Sequence, residues 1–322
     1  MRIVFMGSPD FAARALGALI DSGHEIVAVF TQPDRPVGRG RKLSPPPVKR
    51  LALQHGLQVC QPPSISAPAV VDEIRAMQPD VGVIAAYGQI LKQPVLDVPR
   101  LGVLNVHASL LPRWRGASPV IAAILAGDTM SGATIMRVVQ KLDAGPVLDQ
   151  VEVPVRPDDT TFTLTERIAD AGAALLLAVL PRYASRELTP REQDETRVTY
   201  APQVKKSDAI IDWERESAGQ IERKVRAYNP WPVAHSYLAG LPLRIIEAVV
   251  SERRSHPDTP GTIVAAADGG LPRRAGFVVT TGDLDVAVIT VQGPGGRPMS
   301  AADYLNGHRE ILGKRLRSAP DA

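Results

Sequence analysis

Arg2–Met6 (RIVFM), Glu25–Phe30 (EIVAVF), Val81–Tyr87 (VGVIAAY) and Gly102–His107 (GVLNVH) are short, nearly unbroken apolar runs, where a strand with one face in water would alternate. Such strands must be covered on both faces. Helical patterns lie between them to do so: Phe11–Ile20 closing at Gly23, Pro47–His55 closing at Gly56, and Pro68–Met77. With a further short strand expected at Leu57–Cys60, the alternation predicts an α/β domain built on a mostly parallel sheet with helices on both sides.

The pattern changes past the middle of the chain. A long helix is expected over Phe162–Tyr183, opened by a Thr163/Glu166 capping box, and Glu187–Lys206 is then polar and weakly periodic, as a linker would be. Ser217 and Gln220 are placed as a second capping box. Beyond them come five short β-rich runs with glycine turns: Ala234–Leu238, Leu243–Val250, Gly261–Ala266, Phe277–Thr280 and Leu284–Val291, the last alternating with period two. These predict a small OB-like β-barrel, and Ser300 with Asp303 start a final helix. For 322 residues two domains are expected, with boundaries at 1–189, a linker at 190–206, and 207–322.

Composition narrows the function classes. Cys60 is the only cysteine, so there is no intramolecular disulfide and no set of thiols for zinc or redox chemistry, which fits a reducing compartment. The N-terminal apolar run stops at Gly7 and Pro9, too short for a signal-peptide core, and no stretch reaches the roughly 18 apolar residues of a membrane span. A soluble, cytoplasmic protein is expected. The net charge of +3 is mild, but Thr31–Arg50 carries Arg35, Arg39, Arg41, Lys42, Lys49 and Arg50 against Asp34 alone. This segment therefore holds +5 and the rest of the chain −2, which points to a local anionic partner.

The turn after the first strand, GSPDF from Gly7, lacks the three-glycine spacing of a dinucleotide site, and the phosphate-cradling lysine motif is absent. It reads equally well as a plain tight turn and as a substrate contact. More informative is NVHASLLPRWRG, Asn105–Gly116. A strand delivers Asn105 and His107 on one face to its carboxyl end, and the chain then leaves as a proline- and arginine-rich loop. Downstream, a strand over Thr134–Val139 runs into KLDAGPVL, with Asp143 at the start of a glycine-containing loop of the kind that folds over a cleft. A histidine, a carboxylate and a side-chain amide can together perform acyl transfer, the amide holding an oxyanion while the other two handle protons. Taken singly, such a histidine is more often a structural hydrogen-bonder and such an aspartate a loop residue or helix cap.

GSPDFA, TQPDRPVGRGRKL, AAYGQIL, NVHASLLPRWRGASP and KLDAGPVL, with TYAPQV, IDW and YNPWP farther on, closely resemble the methionyl-tRNA formyltransferase family, in order and over nearly the whole chain. The resemblance implies a Rossmann-like formyltransferase domain that binds 10-formyl-tetrahydrofolate, joined to an OB-like domain that helps hold initiator methionyl-tRNA. It carries over Asn105, His107 and Asp143 as the catalytic set, and Ser109, Leu110, Leu111 and Pro112 as the folate-binding loop. Tyr87, Gly88, Gln89, Ile90 and Leu91 would add backbone contacts to the folate. Lys92 departs from the family, which more often carries proline there.

In such a reaction the amine attacks the formyl carbon directly. Free α-amines titrate near about 7.7 to 8.0 and an adjacent ester lowers this, so no potent base, metal or covalent enzyme intermediate is required. Asn105, helped by His107, would hold the oxyanion, and Asp143 would orient His107 and relay the proton. Arg35, Arg39, Arg41 and Lys42 in the basic loop, with Lys205 and Lys206 in the linker, are the expected tRNA contacts. The loop is too rich in glycine and proline for a regular element of its own. Arg113 and Arg115 either steady terminal phosphates or fold the catalytic loop through ion pairs. Ser207–Ala322 has fourteen basic and fourteen acidic residues, and Trp213 and Trp231 are expected in the core or at a domain interface. Nothing calls for a dimer, so a monomer is expected. Two other functions compete: formyl transfer to a small amine or amino-sugar nucleotide, and a catalytically silent tRNA-binding module.

Overall fold

The computed structural model describes residues 1–37, 42–251, 259–266 and 275–320. It divides into two compact units, one formed by residues 1–119, 129–155 and 164–202, the other by 120–128, 156–163 and 203 onward.

The first unit begins as the apolar alternation demands, with β1 (Arg2–Gly7), α1 (Asp10–Asp21), β2 (Glu25–Phe30), the small ribbon β3 (Arg35–Val37) and β4 (Lys42–Ser44), and α2 (Pro47–Gln54). It continues through β5 (Val59–Cys60), α3 (Pro68–Ala76), β6 (Val81–Ala85), α4 (Gln93–Leu96), β7 (Val103–His107) and β8 (Arg115–Gly116). After α5 (Pro119–Ala126) come β9 (Met130–Arg137), β10 (Val147–Pro154), α6 (Thr161–Ala184) and β11 (Tyr200–Ala201). The main sheet has the order β10-β9-β7-β6-β1-β2-β5. Its five strands from β7 to β5 are parallel, while β9 runs antiparallel to both β7 and β10.

Both faces of the sheet are covered, which is why β1 has no polar residue after Arg2. On one face α3 and α4 pack Val71, Ile74, Val95 and Leu96 against Val4, Met6, Phe30 and Val103. On the other, Gly172 of α6 lies so close to Val106 and Ala133 that a Cβ there would stand 3.0 Å from each side chain. Since alternate residues of a strand face opposite ways, Val106 turns toward α6, whereas Val103, Asn105 and His107 share the α3/α4 face.

Two local expectations change. The basic loop does form a regular element: Arg35 pairs with Ser44, Pro36 with Leu43 and Val37 with Lys42, because β3 and β4 flank the glycine-rich stretch rather than containing it. At its base Lys49 Nζ donates to both oxygens of Asp34 at 2.9 Å. The long helix begins at Thr161, with Thr160 and Thr163 exchanging backbone and hydroxyl hydrogen bonds at 3.0 and 3.3 Å. Glu166 is left free to meet Arg14, at 3.8 Å.

In the second unit α7 (Ala218–Ala227) is capped as expected by Ser217 and Gln220. It is followed by β12 (His235–Leu238), β13 (Leu241–Val250), β14 (Ile263–Ala265), β15 (Phe277–Val279), β16 (Val286–Gln292), β17 (Met299–Ser300) and α8 (Ala301–Gly307). The strands form one antiparallel sheet, β12-β13-β16-β15-β14 with β17 on β16, the half-barrel of a small OB-like domain. Trp213 is buried in its core and donates through Nε1 to Ser236 Oγ at 2.9 Å, whereas Trp231 is half-exposed. Arg223 and Arg226 of α7 reach the carbonyls of Leu125 and Asp159, which tie residues 120–128 and 156–163 to this unit.

Candidate active site

The carboxyl ends of the parallel strands gather the chemistry-bearing residues. The turn after β1 is a clamp: Ser8 Oγ accepts from the Gln32 backbone N–H at 3.1 Å and donates to the Tyr87 carbonyl at 3.4 Å. The same carbonyl accepts from Gln32 Nε2 at 3.2 Å. At the end of β7, His107 is 6% exposed and its Nε2 lies 3.0 Å from the Trp114 carbonyl. A carbonyl can only accept, so Nε2 carries the proton and Nδ1 faces the Asp143 carboxylate, at 3.8 Å. Asn105, half-buried two residues earlier, has no hydrogen-bond partner for its side-chain amide among the described residues.

Asp143 stands at φ +45°, and its Oδ2 accepts from the Gly116 backbone N–H at 2.8 Å. Gly116 has φ +121° and pairs with Ala201 of β11, where a Cβ would be 2.5 Å from the Ala201 carbonyl oxygen, so only glycine fits. Arg115 is fully buried: its guanidinium donates to Gln193 Oε1 at 3.0 and 2.8 Å and to Glu195 Oε1 at 2.9 Å. Of the two roles open to Arg115, the geometry selects folding of the loop. Glu195 also takes Lys141 Nζ at 2.6 Å, and the Lys141 and Arg115 hydrogen bonds hold its carboxyl below the usual carboxylate range. The Arg113 guanidinium stacks 4.3 Å over the Trp114 ring.

The Ser109–Pro112 loop is held from β9 and β10. Thr134 Oγ1 donates to the Ser109 carbonyl at 2.6 Å and accepts the Leu111 N–H at 3.1 Å, while Gln150 Nε2 donates to Leu111 O and Thr134 Oγ1, both at 2.9 Å. The buried Ser109 hydroxyl donates to the Arg113 carbonyl at 2.6 Å and so closes the loop, and Leu111 packs with Met136 and Val147. Leu110, Leu111 and Pro112 also line an open cavity of about 630 Å³ with Arg113, Gln150, Glu152 and Arg197.

The Tyr87–Leu91 segment is less uniform than expected. Tyr87 and Leu91 are buried, and burial raises the Tyr87 hydroxyl far above its ordinary range. The Gln89 side chain accepts from the Ile65 N–H at 2.7 Å and donates to the Pro62 carbonyl at 3.1 Å, so it braces a neighbouring loop. Gly88 takes φ +81°, and Ile90 is 87% exposed. A cavity of about 390 Å³ opens between Gln93, Leu96 and Asp97 of the α4 region, Val103, and Arg137–Val139, Lys141 and Ala144, and its Leu96 and Val103 pack in one cluster with Tyr87 and Leu91. Val103 lies on the same face of β7 as Asn105 and His107. Sequence reasoning reached the Lys141–Pro146 part of this lining through KLDAGPVL, and missed Gln93, Leu96, Asp97, Val103 and Arg137–Val139, which come from strand ends and loops with no shared motif.

Models for formyl transferase and for the formyl transferase C-terminal domain match residues 1–180 and 203–309. The methionyl-tRNA formyltransferase of Methylococcus capsulatus is 50% identical over 317 residues, covering 98% of this chain and 99% of that protein. The chain belongs to the methionyl-tRNA formyltransferase family. The Chloroflexus aurantiacus protein of the same name is 48% identical, covering 95% of this chain and 97% of its own. Among solved structures, HypX from Aquifex aeolicus in complex with tetrahydrofolic acid has a TM-score of 0.65 at 18% identity; the match covers 97% of this chain and 48% of HypX. The sugar 3N-formyl transferase WlaRD, with dTDP and 5-N-formyl-THF, has a TM-score of 0.64 at 17% identity, covering 92% and 99%. At these identities the two structures bear on the fold alone.

For a methionyl-tRNA formyltransferase the remaining expected contacts fall as follows. Arg35 is exposed and donates to Gln32 Oε1 at 3.1 Å, and Lys205 and Lys206 are exposed at the start of a short 3₁₀ turn. Arg39, Arg41 and the Lys42 side chain lie outside the described residues. Among the described residues no group of His, Cys, Asp and Glu could hold a metal ion, and no helix is long and apolar enough to cross a membrane.

Proposed function

We propose that the chain transfers the formyl group of 10-formyl-tetrahydrofolate to the α-amino group of initiator methionyl-tRNA, giving formylmethionyl-tRNA for translation initiation. One observation carries this reading: an amide with no partner among the described residues, that of Asn105, stands two residues from a histidine whose remaining nitrogen faces a carboxylate. The donor supplies a formyl group on a nitrogen able to leave. Asn105 is positioned to donate to the formyl oxygen as negative charge gathers there. With Nε2–H held by the Trp114 carbonyl, His107 has only Nδ1 for chemistry. Nδ1 and the Asp143 carboxylate together take the proton shed by the attacking amine and return it to the leaving nitrogen. These residues supply both charge stabilisation and proton transfer, so the reading calls for no metal.

The folate carrier would lie in the cavity lined by Leu96, Val103 and Val139, whose apolar wall continues into Tyr87 and Leu91, and would reach toward the Ser109–Pro112 loop. Arg35, Arg39, Arg41, Lys42, Lys205 and Lys206 would meet the tRNA. We take 1–189 as the formyl-transfer domain and 207–322 as the tRNA-holding domain, joined through 190–206, with 120–128 and 156–163 packed in the second unit and 190–202 in the first, in a monomer working in the cytoplasm. The test offers the purified protein the donor together with methionyl-tRNA, or with an amino-sugar nucleotide. Formylated methionyl-tRNA formed only when both substrates are present is expected. Formylation of the sugar amine, with methionyl-tRNA untouched, would replace this reading by a small-amine formyltransferase.

A further inference from the structure

The polar segment after α6 is folded along the catalytic loops. Arg191 exchanges backbone hydrogen bonds with Val147 at 2.8 Å, and β11 pairs in parallel with β8. Thr199 Oγ1 accepts the Trp114 N–H at 2.9 Å. Within this strap Gln193 stands between the two loops that carry the His107–Asp143 pair. Its Nε2 donates to the carbonyls of both Asp143 and Gly145 at 2.8 Å. Its Oε1 accepts twice from buried Arg115, the residue before Gly116, whose own N–H binds the Asp143 carboxylate.

Backbone and side chain of Asp143 are thus held through one connected set, Gln193, Arg115 and Gly116. Asp143 needs such holding, because at φ +45° it occupies a left-handed conformation that non-glycine residues take only when their surroundings impose it. Gly145 packs so closely on β9 that a Cβ there would lie 1.7 Å from the Arg137 carbonyl oxygen, so only glycine fits beside the Gln193 contact. Only a carboxamide suits position 193, with a donor toward two carbonyls and an acceptor toward a guanidinium.

We infer that Gln193 is a positioning residue for formyl transfer, setting Asp143 against His107 while Arg115 fixes it from behind. This rests on the assignment of Asp143 to the reaction. Gln193→Glu isolates the role: a carboxylate keeps the pairing with Arg115 but turns an oxygen toward the Asp143 and Gly145 carbonyls.

The test compares wild type, Gln193→Glu and Asp143→Asn as full chains, at a temperature where circular dichroism shows all three folded. Formylation of methionyl-tRNA gives kcat and KM, and ¹⁵N NMR reads the His107 ring nitrogens. In Gln193→Glu, kcat should fall on the order of 10- to 100-fold with KM for methionyl-tRNA unchanged. The His107 resonances should move toward those of Asp143→Asn. A wild-type kcat in Gln193→Glu, with Asp143→Asn inactive, would overturn the inference. So would a fall in kcat with the His107 resonances unmoved, which is what a general loosening gives. Wild-type turnover in Asp143→Asn would instead sink the assignment beneath it.

Discussion

At the end of β7 two polar side chains share a face but are treated oppositely. His107 has one nitrogen on a backbone carbonyl and the other facing a carboxylate, whereas the Asn105 amide has no partner among the described residues. The Asn105 amide is half-buried, not sealed from solvent, and so is available to a ligand that replaces its water. Cys60 shows the contrary case of a reactive group made inert. Partial burial, then the adjacent Glu73 carboxylate, push its thiol up to about 11. A raised pKa lowers the thiolate fraction at every pH below it, and the thiolate is the nucleophile. Alkylation by iodoacetamide should therefore be slow at neutral pH and still climb about tenfold per unit between about pH 9 and 10, where an unperturbed thiol near about 8.5 has levelled off. A plateau by pH 9 would contradict the burial argument.

Among elements, the Ser109–Pro112 loop depends on β9 through the Thr134 hydroxyl, while Gln150 of β10 holds the Leu111 carbonyl directly. Thr134→Val keeps the shape but leaves the Leu111 N–H and the Ser109 carbonyl without their partner. A loss of about 1–3 kcal/mol in urea denaturation is expected, together with a raised KM for the folate donor and an unchanged KM for methionyl-tRNA. Equal stability and an unchanged donor KM would show that the loop is held elsewhere. The elements legible in the sequence were those with a physical reason to be monotonous. β1, β6 and β7 are covered on both faces, so they read as apolar runs, and Ser217 with Gln220 announced α7 by cap chemistry. β8 and β11 are two residues each and carry no periodic signal. The placement of Asn105 and His107 on one face was legible because a strand repeats every two residues. Gln193 was not, since a glutamine in a polar stretch looks like any solvated residue, and its burial partners lie about fifty and eighty positions away.

For the molecule as a whole, charge is gathered rather than spread. The Thr31–Arg50 segment holds more positive charge than the chain's net +3, and β3 and β4 form a ribbon around its glycine-rich part. Replacing Arg39, Arg41 and Lys42 together with alanine should weaken methionyl-tRNA binding and flatten the log-log salt slope by about one unit per lost phosphate contact. An unchanged slope and affinity would assign the RNA to another surface. All of this presupposes that the Asn105, His107 and Asp143 cluster performs the transfer, and Asn105 tests that most directly, because its amide makes no hydrogen bond among the described residues. With donor and methionyl-tRNA both saturating, the single-turnover rate of formyl transfer should fall about 10²- to 10³-fold in Asn105→Ala, with binding of both substrates intact. A wild-type single-turnover rate in that variant would contradict the account at its centre.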